Sequence, residues 1–506
     1  MRKFWSDSSS IGKLSIMIGL FIIAPLLILP WYPEDAVYTL SFVIPGGASI
    51  LLGILICLFG KRDTEVASDW RSQMGRSSLT VLFAWGLGVL VGALPFILGR
   101  QLTVVRALFE AVSGWTTTGL SAMDVSKTPM IFLFHRSFMQ YCGGLGFIMM
   151  MIVFISNKQS MNLYSAEGHP DKVMPNIKKT ARAIFIVYNI CLLLGTVAYR
   201  IAGMNWFDSI CHCMCSLSTG GFSTQLNSIG AYNSLAVEII TIVLMLIGTT
   251  NFAALLLIVK GKIRSFFRIG EVKFMFILLA VFIPLTALSL ADGLGISIWE
   301  GFRKSAFDVV SALSTTGYST MSYAGWPHFA IGVLILMMVI GGGIGSTAGG
   351  IKISRVYLML RLTGIQLKKK LSPGRSVSAP YYIKASGKTP IDRELADETT
   401  SFFLAYILIY ITGSLLITVT ADCTLMEAMF DFASSLSTVG LSIGITNPMT
   451  NNATLIVEMI GMLLGRLEIF IVVIGFTFGF RSLKNFFRKT SRNTVCKTNK
   501  KVELKS

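Results

Sequence analysis

The chain has 506 residues, of which 53% are hydrophobic and only 14% charged, with a mean hydropathy of +0.67. A soluble globular domain averages about 25% charged residues, so this composition excludes one, and it excludes a disordered chain too. The net charge of +18 would suit a nucleic-acid binder. The placement of the charges points instead to a membrane protein with many spans.

Ten apolar stretches are long enough to cross a hydrocarbon core of about 30 Å. In chain order they lie near 14–30, 39–59, 77–99, 129–156, 180–203, 233–260, 271–293, 327–364, 398–421 and 451–480. Lys and Arg collect between alternate pairs of them. The amino terminus carries 3, segment 61–76 carries 4, and 158–182 and 260–273 carry 5 each. Segment 352–393 carries 10 and the tail 481–506 carries 9, so 36 of the 44 basic residues fall on one face. Cytoplasmic loops are the basic ones, which places both termini inside. Anionic lipid headgroups are then the default neighbours of this charge, and nucleic acid is not needed to explain it. A cleaved signal peptide is not expected for the first span, because no small-residue cleavage site follows Pro30-Trp31-Tyr32-Pro33.

One pattern recurs after the third, fifth, seventh and ninth spans. Its copies centre on Ser113…Thr117-Thr118-Gly119…Ser121 and Cys215…Thr219-Gly220-Gly221…Ser223, then Ser311…Thr315-Thr316-Gly317…Ser319 and Ser434…Thr438-Val439-Gly440…Ser442. Thr stands two residues before the glycine and Ser two after it in every copy. Each copy follows a half-apolar stretch of about fifteen residues, too short to span and better read as a re-entrant helix. Irregular backbone at membrane depth is tolerated only where it is buried or lines a watery cavity. Glycine accepts positive φ cheaply, so successive carbonyls can turn toward a common axis and replace the hydration shell of a cation. The re-entrant helices would also aim their C-terminal partial negative charge at the cavity below. Tight loops packed between helices are the simpler alternative, but four aligned copies argue against it.

On these motifs the chain resembles the Trk/Ktr/HKT superfamily of potassium transporters, whose members are similar to four fused span–pore-loop–span units of a potassium channel. Two further spans ahead of the first unit make it most similar to the Trk-type membrane subunit. The resemblance covers about residues 10–485 and implies an all-α membrane protein with ten spans and four re-entrant pore helices. It implies that Thr117, Thr118, Gly119, Thr219, Gly220, Gly221, Thr315, Thr316, Gly317, Thr438, Val439 and Gly440 form a potassium-binding filter of backbone carbonyls. In the family a Ser in place of the first filter glycine goes with sodium preference; all four are Gly here, which implies K+ as the permeant ion. Only one glycine per copy is shared with a potassium-channel filter. The expected units are 1–76 (two N-terminal spans), 77–179, 180–270, 271–397 and 398–485 (the pore repeats), and a basic tail at 486–506.

The eighth stretch, 327–364, would be about 57 Å long as one helix at about 1.5 Å per residue, too long for the core. It contains Gly341-Gly342-Gly343-Ile344-Gly345-Ser346-Thr347-Ala348-Gly349-Gly350. Glycine in a helix interior costs about 1 kcal/mol relative to Ala, so this run predicts an intramembrane loop rather than close helix packing. The resemblance implies that the loop is a gate beneath the filter. Arg466 lies inside an apolar span, which is expensive and functional by default. It stands 26 residues past Gly440, and the same offset from Gly317 lands on Gly343. It is therefore expected to anchor the closed loop through backbone carbonyls and to place positive charge in the pore. The structural alternative is an ion pair with Glu468, although i,i+2 neighbours on a helix do not face each other.

Cys211-His212-Cys213-Met214-Cys215 lies within the second re-entrant helix and lacks the separated ligand pairs of a zinc site. His212 takes the place of Glu110, Asp308 and Asp431 in the other copies. That acidic series can raise cation concentration at the outer mouth or hydrogen-bond the pore-loop backbone, and sequence does not choose. The basic segment 366–393, with Lys368, Lys369, Lys370, Arg375, Lys384 and Lys388, carries no dinucleotide fingerprint. The resemblance implies a cytosolic nucleotide-binding RCK-type partner (TrkA-like) beneath it, a homodimer, a bacterial inner-membrane location, and no organic cofactor in this chain. A cation-coupled secondary transporter is the competing function. Such carriers place acids in mid-span and use inverted repeats. Here the repeats are parallel and the clear within-span acids are Glu238, Glu458 and Glu468. No span carries the regularly spaced Arg of a voltage sensor, and no catalytic set points to an enzyme.

Overall fold

The computed structural model describes residues 9–59, 70–146, 177–371, 381–385, 387–481 and 484. Two helices, Ser10–Ile23 and Thr39–Phe59, open the chain as a tightly packed hairpin. Without a hydrophobic force between helices in lipid, close approach depends on small residues. Gly12 and Gly53 sit against each other's backbone, as do Gly19 and Gly46. Ser15 and Ser49 exchange hydroxyl hydrogen bonds with each other's carbonyls at 2.7 and 2.8 Å.

Four units follow, each an outer helix, a short pore helix and an inner helix. The outer helices are Trp70–Leu98, Ile177–Ile201, Gly270–Leu294 and Arg393–Thr420. Their lipid face is apolar and open, with Leu193, Leu194, Leu404 and Leu408 exposed. The pore helices are Val104–Trp115, Trp206–Leu217, Ile298–Ser314 and Leu425–Leu436. The outer ends of the last three are fixed by N-caps: the side chains of Asn205 and Ser297 accept from N–H groups in the first turn, and Thr424 and Glu427 form a reciprocal capping box. The protein is thus an all-α membrane protein of four span–pore-loop–span units behind two N-terminal spans.

Two features depart from the sequence expectation. A single broken span was expected, but inner helices bend or stop in every unit. The second bends by 112° between Leu235–Thr249 and Phe252–Val259, and the fourth by 100° between Asn452–Arg466 and Ile469–Arg481. The stretches 233–260 and 451–480 are therefore not single straight spans. The first stops at Leu145, capped by Gly146 at φ 79°, and the third, His328–Ile340, stops at Gly341 with φ 70°. Asn251 nucleates the new direction in the second unit by accepting from Ala253 N–H at 2.7 Å. In the fourth, Glu468 turns the chain at φ 59°. The other departure is a two-stranded hairpin, Tyr381–Lys384 paired antiparallel with Gly387–Pro390, in the basic segment after helix Ile353–Leu371. Lys384 and Lys388 lie over its Tyr382 and Tyr381 rings at 5.3 and 5.0 Å. Arg375 lies outside the described residues.

Candidate functional site

Each pore helix ends in the same way. The N–H of the residue before the filter glycine bonds back to the carbonyl five residues earlier: Thr118 to Ser113 at 2.9 Å, Gly220 to Cys215 at 2.8 Å, Thr316 to Ser311 at 3.0 Å and Val439 to Ser434 at 2.8 Å. This is the bonding of a Schellman terminus, whose αL position is ordinarily glycine. Here it is threonine in all four units: Thr117, Thr219, Thr315 and Thr438 stand at φ 55°, 50°, 56° and 52°. A β-branched residue in that region is strained, and strain repeated at four equivalent positions marks a constraint that folding alone does not require. Two residues on, Gly119, Gly221, Gly317 and Gly440 take φ 95°, 74°, 81° and 101°.

These glycines close a ring. A Cβ on Gly119 would strike the carbonyl oxygen of Gly220, one on Gly221 that of Thr316, one on Gly317 that of Val439, and one on Gly440 that of Thr118. Each unit leans on the next in cyclic order, so the four glycines and the carbonyls of Thr118, Gly220, Thr316 and Val439 form one closed ring. A polar vestibule of about 440 Å³ opens above it, lined in part by Gly317, Tyr323, Gly440 and Ser442.

The polar shell behind the ring is dense. Glu110, Asp308, Asp431 and His212 are all fully buried. Each binds the segment that leaves the ring: Glu110 accepts from Ser121 Oγ and Ala122 N, both at 2.7 Å, and Asp308 from Thr320 Oγ1 and Tyr323 OH at 2.9 Å. Asp431 accepts from Ser442 Oγ at 2.7 Å and Ile443 N at 2.9 Å, and His212 Nε2 meets Ser223 Oγ at 3.0 Å. Of the two roles left open for this series, the contacts favour holding pore-loop backbone. The other ring nitrogen of His212 meets the Asp208 carbonyl, so the Cys-His-Cys-Met-Cys run is ordinary pore-helix packing.

Sequence reasoning missed Arg136 and Gln140 on the first inner helix. Arg136 pairs with Glu110 at 3.0 Å, donates to Ser121 Oγ at 2.8 Å and lies 4.0 Å over the Phe222 ring, joining units one and two. The pair is 2% and 0% exposed. Removing one member of a buried pair leaves an uncompensated charge and costs about 3–5 kcal/mol. Arg136→Met is therefore expected to lower the melting temperature of the detergent-solubilised protein sharply, and adding Glu110→Gln to restore part of the loss; equal melting of wild type and Arg136→Met would refute this. The one signal in the sequence was a charged and an amide residue four apart inside an apolar helix.

The glycine run packs under the ring. Thr347 Oγ1 meets Thr219 Oγ1 at 3.0 Å and donates to the Gly248 carbonyl at 2.9 Å, while Gly349 N donates to Thr315 Oγ1 at 2.8 Å. A Cβ on Gly349 would strike the Ser437 carbonyl and Thr438 Oγ1. The strained threonines of units two, three and four thus turn their side chains toward the loop. Gly341, Gly345 and Gly350 carry φ of 70°, 68° and 76°, and Gly343 N donates to the Thr249 carbonyl at 3.0 Å. Gly342 fits between Thr249 and Ala348, and Ser346 Oγ donates to the Gly343 carbonyl at 2.7 Å. Arg466 reaches this loop: one guanidinium nitrogen donates to Thr347 O at 2.5 Å, the other to Gly143 O at 2.5 Å and Gly144 O at 3.3 Å. Glu468 pairs with Arg355 at 3.0 Å, at the start of the helix that follows the loop.

Four units converging on a ring of backbone carbonyls define a four-repeat membrane transport protein. A family model described as TrkH, cation transport protein, matches residues 54–486, and the chain belongs to this family. It is 29% identical over 487 residues to the Trk system potassium uptake protein TrkH of Halomonas elongata, covering 92% of this chain and 97% of that one. It is 30% identical to the Trk system potassium uptake protein TrkG of Escherichia coli, over 92% of this chain and 96% of the relative. The crystal structure of the potassium transporter TrkH from Vibrio parahaemolyticus superposes with a TM-score of 0.79 at 28% identity, over 92% of this chain and 96% of that one. These relatives are transporters.

Proposed function

We propose that the chain takes up potassium through a gated pore, with the ring as its ion filter. The observation that carries this reading is the cyclic packing of Gly119, Gly221, Gly317 and Gly440 on their neighbours' carbonyls. A carbonyl ring supplies to a dehydrating cation the oxygens it loses from water. The loop from Gly341 to Gly350 is the gate, and Arg466 is its latch and a positive barrier beneath the ring. Support for the latch is the pair of carbonyl contacts that tie Thr347 to Gly143 across units. On the charge pattern both termini face the cytoplasm, in a bacterial inner membrane, and the units divide near residues 77, 180, 271 and 398.

Control comes from below. The helix Ile353–Leu371 leaves the loop directly, and its Leu358 packs with Tyr382 of the basic hairpin. We take this surface as the dock of an RCK-type nucleotide-binding subunit, and the assembly as a homodimer, as the resemblance implies. The testing experiment is ion flux into proteoliposomes under potassium, rubidium and sodium gradients in turn. Potassium and rubidium flux well above sodium is expected, and equal sodium flux would overturn the filter reading. Uptake that requires an imposed proton or sodium gradient would replace the passive pore by the coupled carrier.

A further inference from the structure

The ring is not chemically four-fold. The residue before the filter glycine is Thr118, Thr316 and Val439 in units one, three and four, but Gly220 in unit two. The space a Cβ would take at Gly220 is filled by the amide of Gln140, a fully buried side chain on the first inner helix. Gln140 Nε2 donates to the Gly220 carbonyl at 2.5 Å, and its Oε1 accepts from Phe222 N at 3.1 Å. The two partners fix the amide's orientation, since the reverse would set oxygen against oxygen. The Gly220 carbonyl is also the one on which Gly119 packs, so it belongs to the ring. Among the described residues, no side-chain donor reaches the equivalent carbonyls of Thr118, Thr316 and Val439.

We infer that Gln140 is a specificity-determining residue that weakens and fixes one ring carbonyl so that the filter favours the larger cation. This rests on the reading of the ring as the ion filter. A carbonyl oxygen has two lone pairs, and a side-chain donor occupies one of them. The donor also draws electron density away from the oxygen, lowering the field it offers to an ion. Selection between K+ and Na+ depends on the number and field strength of the coordinating carbonyls. A weaker field repays the smaller dehydration cost of K+ but not the larger cost of Na+. Glycine at position 220 is what admits the amide, so the departure from symmetry in sequence and the extra donor are one feature.

The test uses the full-length protein in liposomes and reads the K+ to Na+ flux ratio. Gln140→Met keeps the volume and removes the donor, and the ratio is expected to fall about tenfold while potassium flux persists. The double variant Gly220→Ala, Gln140→Ala restores bulk beside the carbonyl without a donor. A low ratio there supports the donor role, whereas a wild-type ratio shows that Gln140 merely fills space and overturns the proposal. If Gln140→Met carries no flux, the stabilisation of the solubilised protein by each ion is read instead. Equal shifts in melting temperature with K+ and Na+ support the inference, and a retained K+ preference refutes it. Gly119→Ser separates the two failures. If it alters the ratio and Gln140→Met does not, this inference fails; if neither does, the filter reading fails.

Discussion

Replacing Arg466 by Ala is expected to raise potassium flux by roughly ten- to a hundredfold while leaving the K+ to Na+ ratio unchanged. The guanidinium bridges Thr347 in the loop and Gly143 and Gly144 at the end of the first inner helix. A hydrogen bond to a charged group contributes about 1.5–3 kcal/mol, and every 1.4 kcal/mol is a tenfold change in a population. Losing even one such tether shifts the closed loop toward its open form by that factor. Arg466→Lys keeps the charge but loses the fork that reaches two carbonyls at once. Flux in the Lys variant close to that of the Ala variant would identify tethering as the main effect, and flux close to wild type would identify charge. Unchanged flux in both would remove Arg466 from the gate.

Gly119→Ser is expected to cut the K+ to Na+ flux ratio by one to two powers of ten. Gly119 stands at φ 95°, and a Cβ there strikes the Gly220 carbonyl. The chain can relieve this only by moving the carbonyl or by leaving the αL region, and either change opens one quadrant of the ring. A difference of about 1.4–2.8 kcal/mol between the two ions suffices for the expected change. Displacing Gly220 also pulls its oxygen away from Gln140. Flux of potassium and sodium measured side by side checks this, and an unaltered ratio would mean that selection lies elsewhere in the pore.

The repeat was legible in the sequence because its geometry constrains residue type. An αL glycine packed against a neighbouring backbone admits no side chain, so four glycines stand at matching positions. The loop between the third inner helix and Ile353–Leu371 was legible for a related reason: Gly341 to Gly350 cannot remain a helix. What escaped notice is set by contacts distant in sequence. Gln140 and Gly220 lie 80 residues apart, and nothing local to either signals the other. The bend at Thr250-Asn251 lacks a glycine and is announced only by an Asn that can cap, a weak cue inside an apolar run. At the break at Leu467-Glu468, Glu468 stands at φ 59° and meets Arg355, 113 residues earlier. The acidic pore-helix series was legible as a series, but its partners lie on the far side of the glycine turn.

The cyclic order of the ring has a consequence for biogenesis. Units one to three hand their contacts forward along the chain, but the last, Gly440 on Thr118, runs from the final unit back to the first. A nascent chain that has delivered three units to the bilayer therefore holds an unclosed arc, with one flank of Thr118 bare. Contacts so far apart in sequence are slow to form, because the chain between them must be ordered first. Ring closure is thus the last contact this protein acquires during synthesis, and a ribosome stalled before residue 440 leaves a membrane-embedded chain with an open ring.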